Sequence, residues 1–290
     1  MSSEPLSSKG ITSIFHPSDF TEASEAAFAH ALKIALASRC ELTLFHAAMD
    51  GSLPWDEFPG VRHTLERWKF LPPGSRRRAV ADLGIDLRKI VSRGSEPVAP
   101  VLNFLEGHPA DLIVLATRSH QGRMQWLRTS VAAPIARESH QMTLFVPHGV
   151  QGFVSREDGS VHLRNVLIPV AHDPWPQPAI TAVTRLAAGL DLKDVTFHLL
   201  HAGKRGAFPA LELPQSPGWV WKKVCRAGSV LDAILAAADE FNADLAVMTT
   251  DGHHGFLDGL RGNTTEQVVH RARCPLLAVP TARVAEAGAK

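Results

Sequence analysis

DLAVMTTDGHHGFLDGLRGNTTEQVVHRARCPLLAVP (residues 244–280) aligns without a gap on DLIVLATRSHQGRMQWLRTSVAAPIARESHQMTLFVP (111–147), at a constant offset of 133. Asp111/Asp244, His120/His253, Gly122/Gly255, Arg128/Arg261 and Pro147/Pro280 are identical pairs. Each copy opens on a short apolar run, crosses a polar loop, enters a stretch with helical periodicity and closes on a second apolar run. A repeat of this length dictates the architecture of the whole chain. Upstream, SIFHPSDF (13–20) parallels NVLIPVAHD (165–173) and ELTLFHAA (41–48) parallels VTFHLLHAG (195–203), in the same order in both halves. The chain reads as a tandem duplication.

Working outward, each half alternates strands with helices. In the first, ITSIFH leads into the Ala-rich pattern EASEAAFAHALKIALAS, with Ser18, Asp19 and Thr21 suited to capping. LTLFHA, DLRKIVSR, LIVLAT and MTLFVP read as strands, with EPVAPVLNFLEGH and residues 130–140 as helices. In the second half LDAILAAADEFN (231–242) is the helix before the glycine loop. Short apolar strands between helices of this length form a parallel sheet covered on both faces, and right-handed crossovers make each half a doubly wound α/β unit. The expected domains are 1–150 and 161–290, with the polar QGFVSREDGS (151–160) as linker.

Composition narrows the function classes. A chain of 290 residues suits two domains of roughly 100–200 residues each. With 30 basic and 29 acidic residues it carries no polyanion-binding excess, so nucleic acid is not an expected partner. Arg76-Arg77-Arg78 reads as a solvated helix start. Three cysteines without a CxxC pair fit a reducing compartment, with Cys274 as a packed thiol. No apolar h-region or 18-residue apolar run is present, and the expectation is a cytoplasmic protein without a membrane partner.

In an open parallel sheet, ligands bind beyond the carboxyl ends of the strands at a topological switch point. That rule selects Ser18-Asp19, Ala47 and Ala116 to Gly122 in the first half. In the second it selects Ala171-His172-Asp173, His201-Ala202 and Thr249 to Gly255.

These residues carry a resemblance. HPSDFTEASEAAFAHAL and the closing LLAVP strand resemble the universal stress protein family, and the chain resembles two such domains joined head to tail. The resemblance implies two Rossmann-like, adenine nucleotide alpha hydrolase-like domains, each a mostly parallel five-stranded sheet, with the last strands MTLFV and PLLAV pairing at the seam. Nucleotide-binding members read G-x2-G-x9-G-[ST] after the fourth strand, the glycines admitting phosphate and ribose and the Gly-Ser/Thr pair opening the next helix. On the second half this gives Thr249, Gly252, Gly262 and Asn263, with Thr264 following; two of three glycines stand. On the first half it gives Ala116, Ser119, Thr129 and Ser130, with no glycine left. The family's aspartate near adenine and ribose is matched by Asp19, whereas Ala171 stands at that place in the second half. The implied ligand is ATP or another adenine nucleotide, with Mg in attendance. The candidate contacts are Ala202, Thr249, Gly252, His253, Gly262, Asn263 and Thr264, with Asp19 and Ser130 in the first domain.

Fifteen histidines are many, and several fall at strand ends. His172, His201 and His253 converging would suit zinc; protonated, they would suit phosphate; alternatively they pack or face solvent. No nucleophile elbow, Walker lysine or HExxH motif occurs, so no catalytic residue is assigned. His16 with Asp19, or His172 with Asp173, are the acid–base pairs to examine. Three readings stand: a nucleotide-binding signalling or stress-protection protein, a weak nucleotide hydrolase with a His-assisted phosphate site, and an interaction module with decayed sites. A second copy or another protein is an open partner. Trp55, Phe58 and Trp68 lie in a longer segment of the first half, to pack on the domain or meet a partner, and residues 203–221 read as a loop over the second crevice.

Overall fold

The computed structural model describes residues 10–19, 22–48, 60–93, 97–117, 132–203, 208–250 and 264–281. The first half runs β1 (Ser13–Pro17), α1 (Glu22–Ser38), β2 (Glu41–Ala48), α2 (Val61–Arg67), α3 (Arg78–Asp82), β3 (Asp86–Arg93), α4 (Val98–Gly107), β4 (Leu112–Thr117), α5 (Ala132–Ser139) and β5 (Thr143–Pro147). The second runs β6 (Asn165–Pro169), α6 (Gln177–Gly189), β7 (Val195–Ala202), β8 (Trp219–Arg226), α7 (Val230–Glu240), β9 (Leu245–Thr250), α8 (Thr264–Arg271) and β10 (Leu276–Pro280).

The strands form one sheet in the order β3-β2-β1-β4-β5-β10-β9-β6-β7-β8. Every pairing within a half is parallel. The pairing between halves is antiparallel, with Phe145 opposite Leu276 and Leu144 opposite Leu277, so the last strands meet at the seam as expected. Alternation along the strands divides two cores. Leu112, Val114, Leu245 and Val247 face the layer of α1 and α6. Ile113, Leu115, Ala246 and Met248 face the layer of α4, α5, α7 and α8. Both sheet faces are covered, which explains the near-continuous apolar runs of the central strands.

The identical Asp111/Asp244 pair has a structural cause. Asp111 Oδ2 accepts from the Thr12 and Ser13 backbone N–H groups at 2.7 and 3.1 Å. Asp244 Oδ2 accepts from Arg164 and Asn165 N–H, both at 2.8 Å. Each aspartate pins the start of its half's first strand to the start of the fourth. Burial alone would raise the Asp111 pKa, but the hydrogen bonds from Thr12 and Ser13 outweigh it and hold the carboxyl below its usual value.

Other expectations resolve locally. Arg76, Arg77 and Arg78 are exposed at the start of α3. Trp68 is buried on the first domain, while Trp55 and Phe58 lie outside the described residues. The loop reading of 203–221 runs too far, because β8 already begins at Trp219 and adds an edge strand beside β7. All three cysteines are free, and burial pushes the Cys40 and Cys274 thiols up to about 12. The segment expected as a polar linker is packed: Phe153 and Val154 are fully buried and Val154 bridges Val161.

Candidate functional site

In each half the chain steps from the first strand outward and returns on the other side of it, so the switch points lie between β1 and β4 and between β6 and β9. At the second of these, the carboxyl ends of β6, β7 and β9 and the start of α8 enclose a cavity of about 280 Å3. Its apolar wall includes Val170, Leu200, Ile234 and Met248, and its polar groups are Asp173, His201, Thr249, Thr250, Thr264 and Thr265. A mostly apolar cleft with a few convergent polar groups is the usual form of a small-ligand site. A larger cavity, about 730 Å3, lies between α1 and α6. Asp111, one of its two charged wall residues, is already committed to Thr12 and Ser13, and the smaller cavity has the larger polar share of lining.

Of the expected contacts, Ala202, Thr249 and Thr264 line this cavity. Gly252, His253, Gly262 and Asn263 lie outside the described residues, as does Ser130 of the first domain. Thr249 is 7% exposed and its buried Oγ1 finds no hydrogen-bond partner among the described residues. Where the family pattern has a glycine, this chain therefore puts a hydroxyl and a methyl at the crevice. The first turn of α8 brings Thr264 and Thr265 to the cavity wall at the positive end of the helix dipole, a setting suited to an anion. Glu266 in the same turn opposes that field; it is buried, with Oε1 3.8 Å from His270 Nε2 and Oε2 without a partner among the described residues.

His201 is a structural tie. Its Nδ1 lies 3.0 Å from the Val170 carbonyl, which can only accept, so Nδ1 carries the proton. His46 does the same in the first half, donating from Nδ1 to the Ser18 carbonyl at 2.8 Å. Both imidazoles bolt the turn after the first strand to the end of the second. A Cβ on Gly203 would come within 2.7 Å of His201 Nε2, so that side of the ring is closed by backbone. His172 is exposed, His253 lies outside the described residues, and among the described residues no group of three or more His, Cys, Asp or Glu is placed to hold a metal ion. The described residues therefore do not fit the zinc reading.

The first crevice is described on its strand side only, because residues 118–131 lie outside the described residues. Asp19 is exposed and accepts from Ser24 Oγ at 3.1 Å, tying the end of the turn after β1 to the first turn of α1. His16 is fully buried and donates from Nδ1 to Val114 O at 2.8 Å. Burial lowers its pKa to about 4, so it is neutral near pH 7 and does not pair with Asp19 for acid–base work. Residues absent from the sequence-based site are Ile234, Met248, Pro174 and Pro176. Val230 and Ile234 share a helical face toward the crevice, so the 3.6-residue period carried a signal for the α7 wall.

The universal stress protein family model matches twice, at residues 11–147 and 153–280. A curated relative, universal stress protein A homolog 1 of Coxiella burnetii, is 42% identical over 52 residues, 18% of this chain and 35% of that protein. The match thus spans about a third of the relative's length. Among solved structures, a universal stress protein from Archaeoglobus fulgidus covers 93% of this chain and 98% of its own with a TM-score of 0.63 at 17% identity. A functionally unknown protein from Pseudomonas aeruginosa PAO1 covers 93% and 92% with a TM-score of 0.60 at 12% identity. At those identities the likeness speaks for the fold, and the two family matches speak for descent: this chain belongs to the universal stress protein family and carries two of its domains in tandem.

Proposed function

We propose that the protein binds an adenine nucleotide in the crevice of its second domain and acts in the cytoplasm as a ligand-dependent signalling or stress-protection protein. The observation that supports this is the cavity of about 280 Å3 at the β6/β9 switch point, capped by the start of α8 and faced by four threonines. That volume lies just below the usual range of ligand sites, about 300–1,000 Å3, and suits a nucleoside with its phosphates leading out toward α8. Ala202 and Thr249 flank the base and ribose. Thr264 meets the phosphates together with Gly252, His253, Gly262 and Asn263 of the preceding loop. Asp19 and Ser130 are the corresponding groups of a weaker first site. The test is a calorimetric titration with ATP and Mg2+. Saturable binding that falls at least about tenfold in Gly252→Val, through the added bulk near the phosphates, supports the reading. No heat with the wild-type chain refutes it.

A second reading, an interaction module that has lost the ligand, is favoured by Thr249, whose buried side chain occupies a place that binding members leave to glycine. Hydrolysis assisted by His253 is the third reading, and ADP production abolished by His253→Ala is its signature.

A further inference from the structure

The segment between the two halves is closed on one histidine. His30, in the middle of α1, is fully buried. Its Nδ1–H donates to the Ala26 carbonyl at 2.7 Å, which leaves Nε2 as an acceptor. Two backbone amides of the connecting segment use it: Phe153 N–H at 3.0 Å and Val154 N–H at 3.3 Å. The Phe153 ring meets the imidazole edge-on, with centroids 4.4 Å apart. Gly152 has φ +71, and a Cβ there would lie 2.4 Å from His30 Cε1, so both backbone and contact require glycine. On the far side of the hairpin, Arg67 and the Trp68 indole each donate to the Arg156 carbonyl at 3.0 Å.

The titratable groups around this contact include His162 of the same hairpin, whose backbone N–H donates to the Phe153 carbonyl at 2.8 Å and whose Nε2 lies 3.0 Å from Ser160 Oγ. Glu25 of α1 pairs with Arg156 at 3.2 Å, and Lys33 of α1 is drawn to Asp158 of the hairpin. Arg67 adds a charge from α2, and Pro275 of the second domain, beside Gly152, adds none. The hydrogen-bond partners of His30 are three backbone groups, with no carboxylate among them. Burial holds its pKa down to about 4. Glu157 and Asp158, stabilised as anions by backbone and serine donors, sit below their usual values, so they are not the groups that titrate there.

We propose that residues 151–163 form an acid-released clasp: neutral His30 fastens the joint between the domains to α1, and protonation of Nε2 opens it, uncovering Phe153, Val154 and the α1 face beneath. A proton on Nε2 turns the sole acceptor into a donor facing two donors, and it places an uncompensated charge in the core. The sheet itself does not depend on this contact, because β5 and β10 pair directly.

The test is hydrogen exchange by mass spectrometry on the full chain between pH 6.5 and 3.5, with rates corrected for intrinsic exchange. Wild type and His30→Gln are compared; glutamine offers an acceptor and takes no proton. In wild type, residues 150–163 are expected to lose up to about tenfold protection per pH unit as pH falls from 6.5 toward the His30 midpoint near pH 4, before residues 177–189 open. His30→Gln is expected to hold its protection through the same range. An NMR titration of the wild-type His30 ring gives an independent readout and must share the opening midpoint. Equal behaviour of the two proteins, simultaneous opening of 177–189, or a ring midpoint more than about one unit from the opening overturns the clasp.

Discussion

At the scale of single residues, the two halves reuse the same devices. Asp111 and Asp244 satisfy backbone donors at equivalent strand starts, and His46 and His201 tie equivalent strand ends. The aspartates were visible as an identical pair in the sequence, but their role needed the strand pairing. His201 looked like a candidate ligand because its position is a strand end; the carbonyl that claims its proton comes from another strand. Asp244→Ala leaves the Arg164 and Asn165 amides without their acceptor, and chemical denaturation should show a loss of about 1–3 kcal/mol. Acid acts through His16 and His30, both lowered by burial from 6.5 to about 4. The folded state binds these protons less readily than the unfolded chain. Their contribution is therefore complete above pH 6.5 and is lost as pH falls toward 4. Unfolding free energies from denaturation at pH 7 and pH 4.5 should differ by a few kcal/mol, and His16→Gln should flatten that slope.

At the scale of elements, strongly patterned segments were legible. The strands LIVLAT and DLRKIVSR and the helix EASEAAFAHALKIALAS were read with the boundaries the structure gives them. β8 was partly read as loop because WVWKKVCR follows a Pro- and Gly-rich stretch and, as an edge strand, keeps residues such as Val220 exposed. The clasp was hidden for a different reason: only Phe153 and Val154 are apolar in a polar decapeptide, and their burial depends on His30, more than a hundred residues away. The α8 terminus makes its own prediction. Glu266 places a negative charge in the turn proposed to meet phosphate. Glu266→Gln should tighten ATP binding about two- to fivefold, with adenosine affinity unchanged by calorimetry, since a charge there is worth about 0.3–1 kcal/mol.

At the scale of the whole molecule, the β5–β10 pairing joins two five-stranded sheets into one of ten and places the α1 and α6 layer on one face. Among the described residues no helix is long and apolar enough to cross a membrane. The duplication, and with it the fold, was legible because a constant offset preserves both the strand period and the loop position. The candidate site was legible only as a location, since Thr249 and Asn263 break the glycine pattern that the resemblance implies for nucleotide-binding members. The central claim is that the second crevice holds an adenine nucleotide, and the melting temperature of the full chain with and without millimolar ATP and Mg2+ tests it most directly. Ligand at a hundredfold excess over Kd stabilises by about 2.7 kcal/mol, a rise of several degrees for domains of this size. That rise is the result expected; an unchanged melting temperature across the titration contradicts the claim.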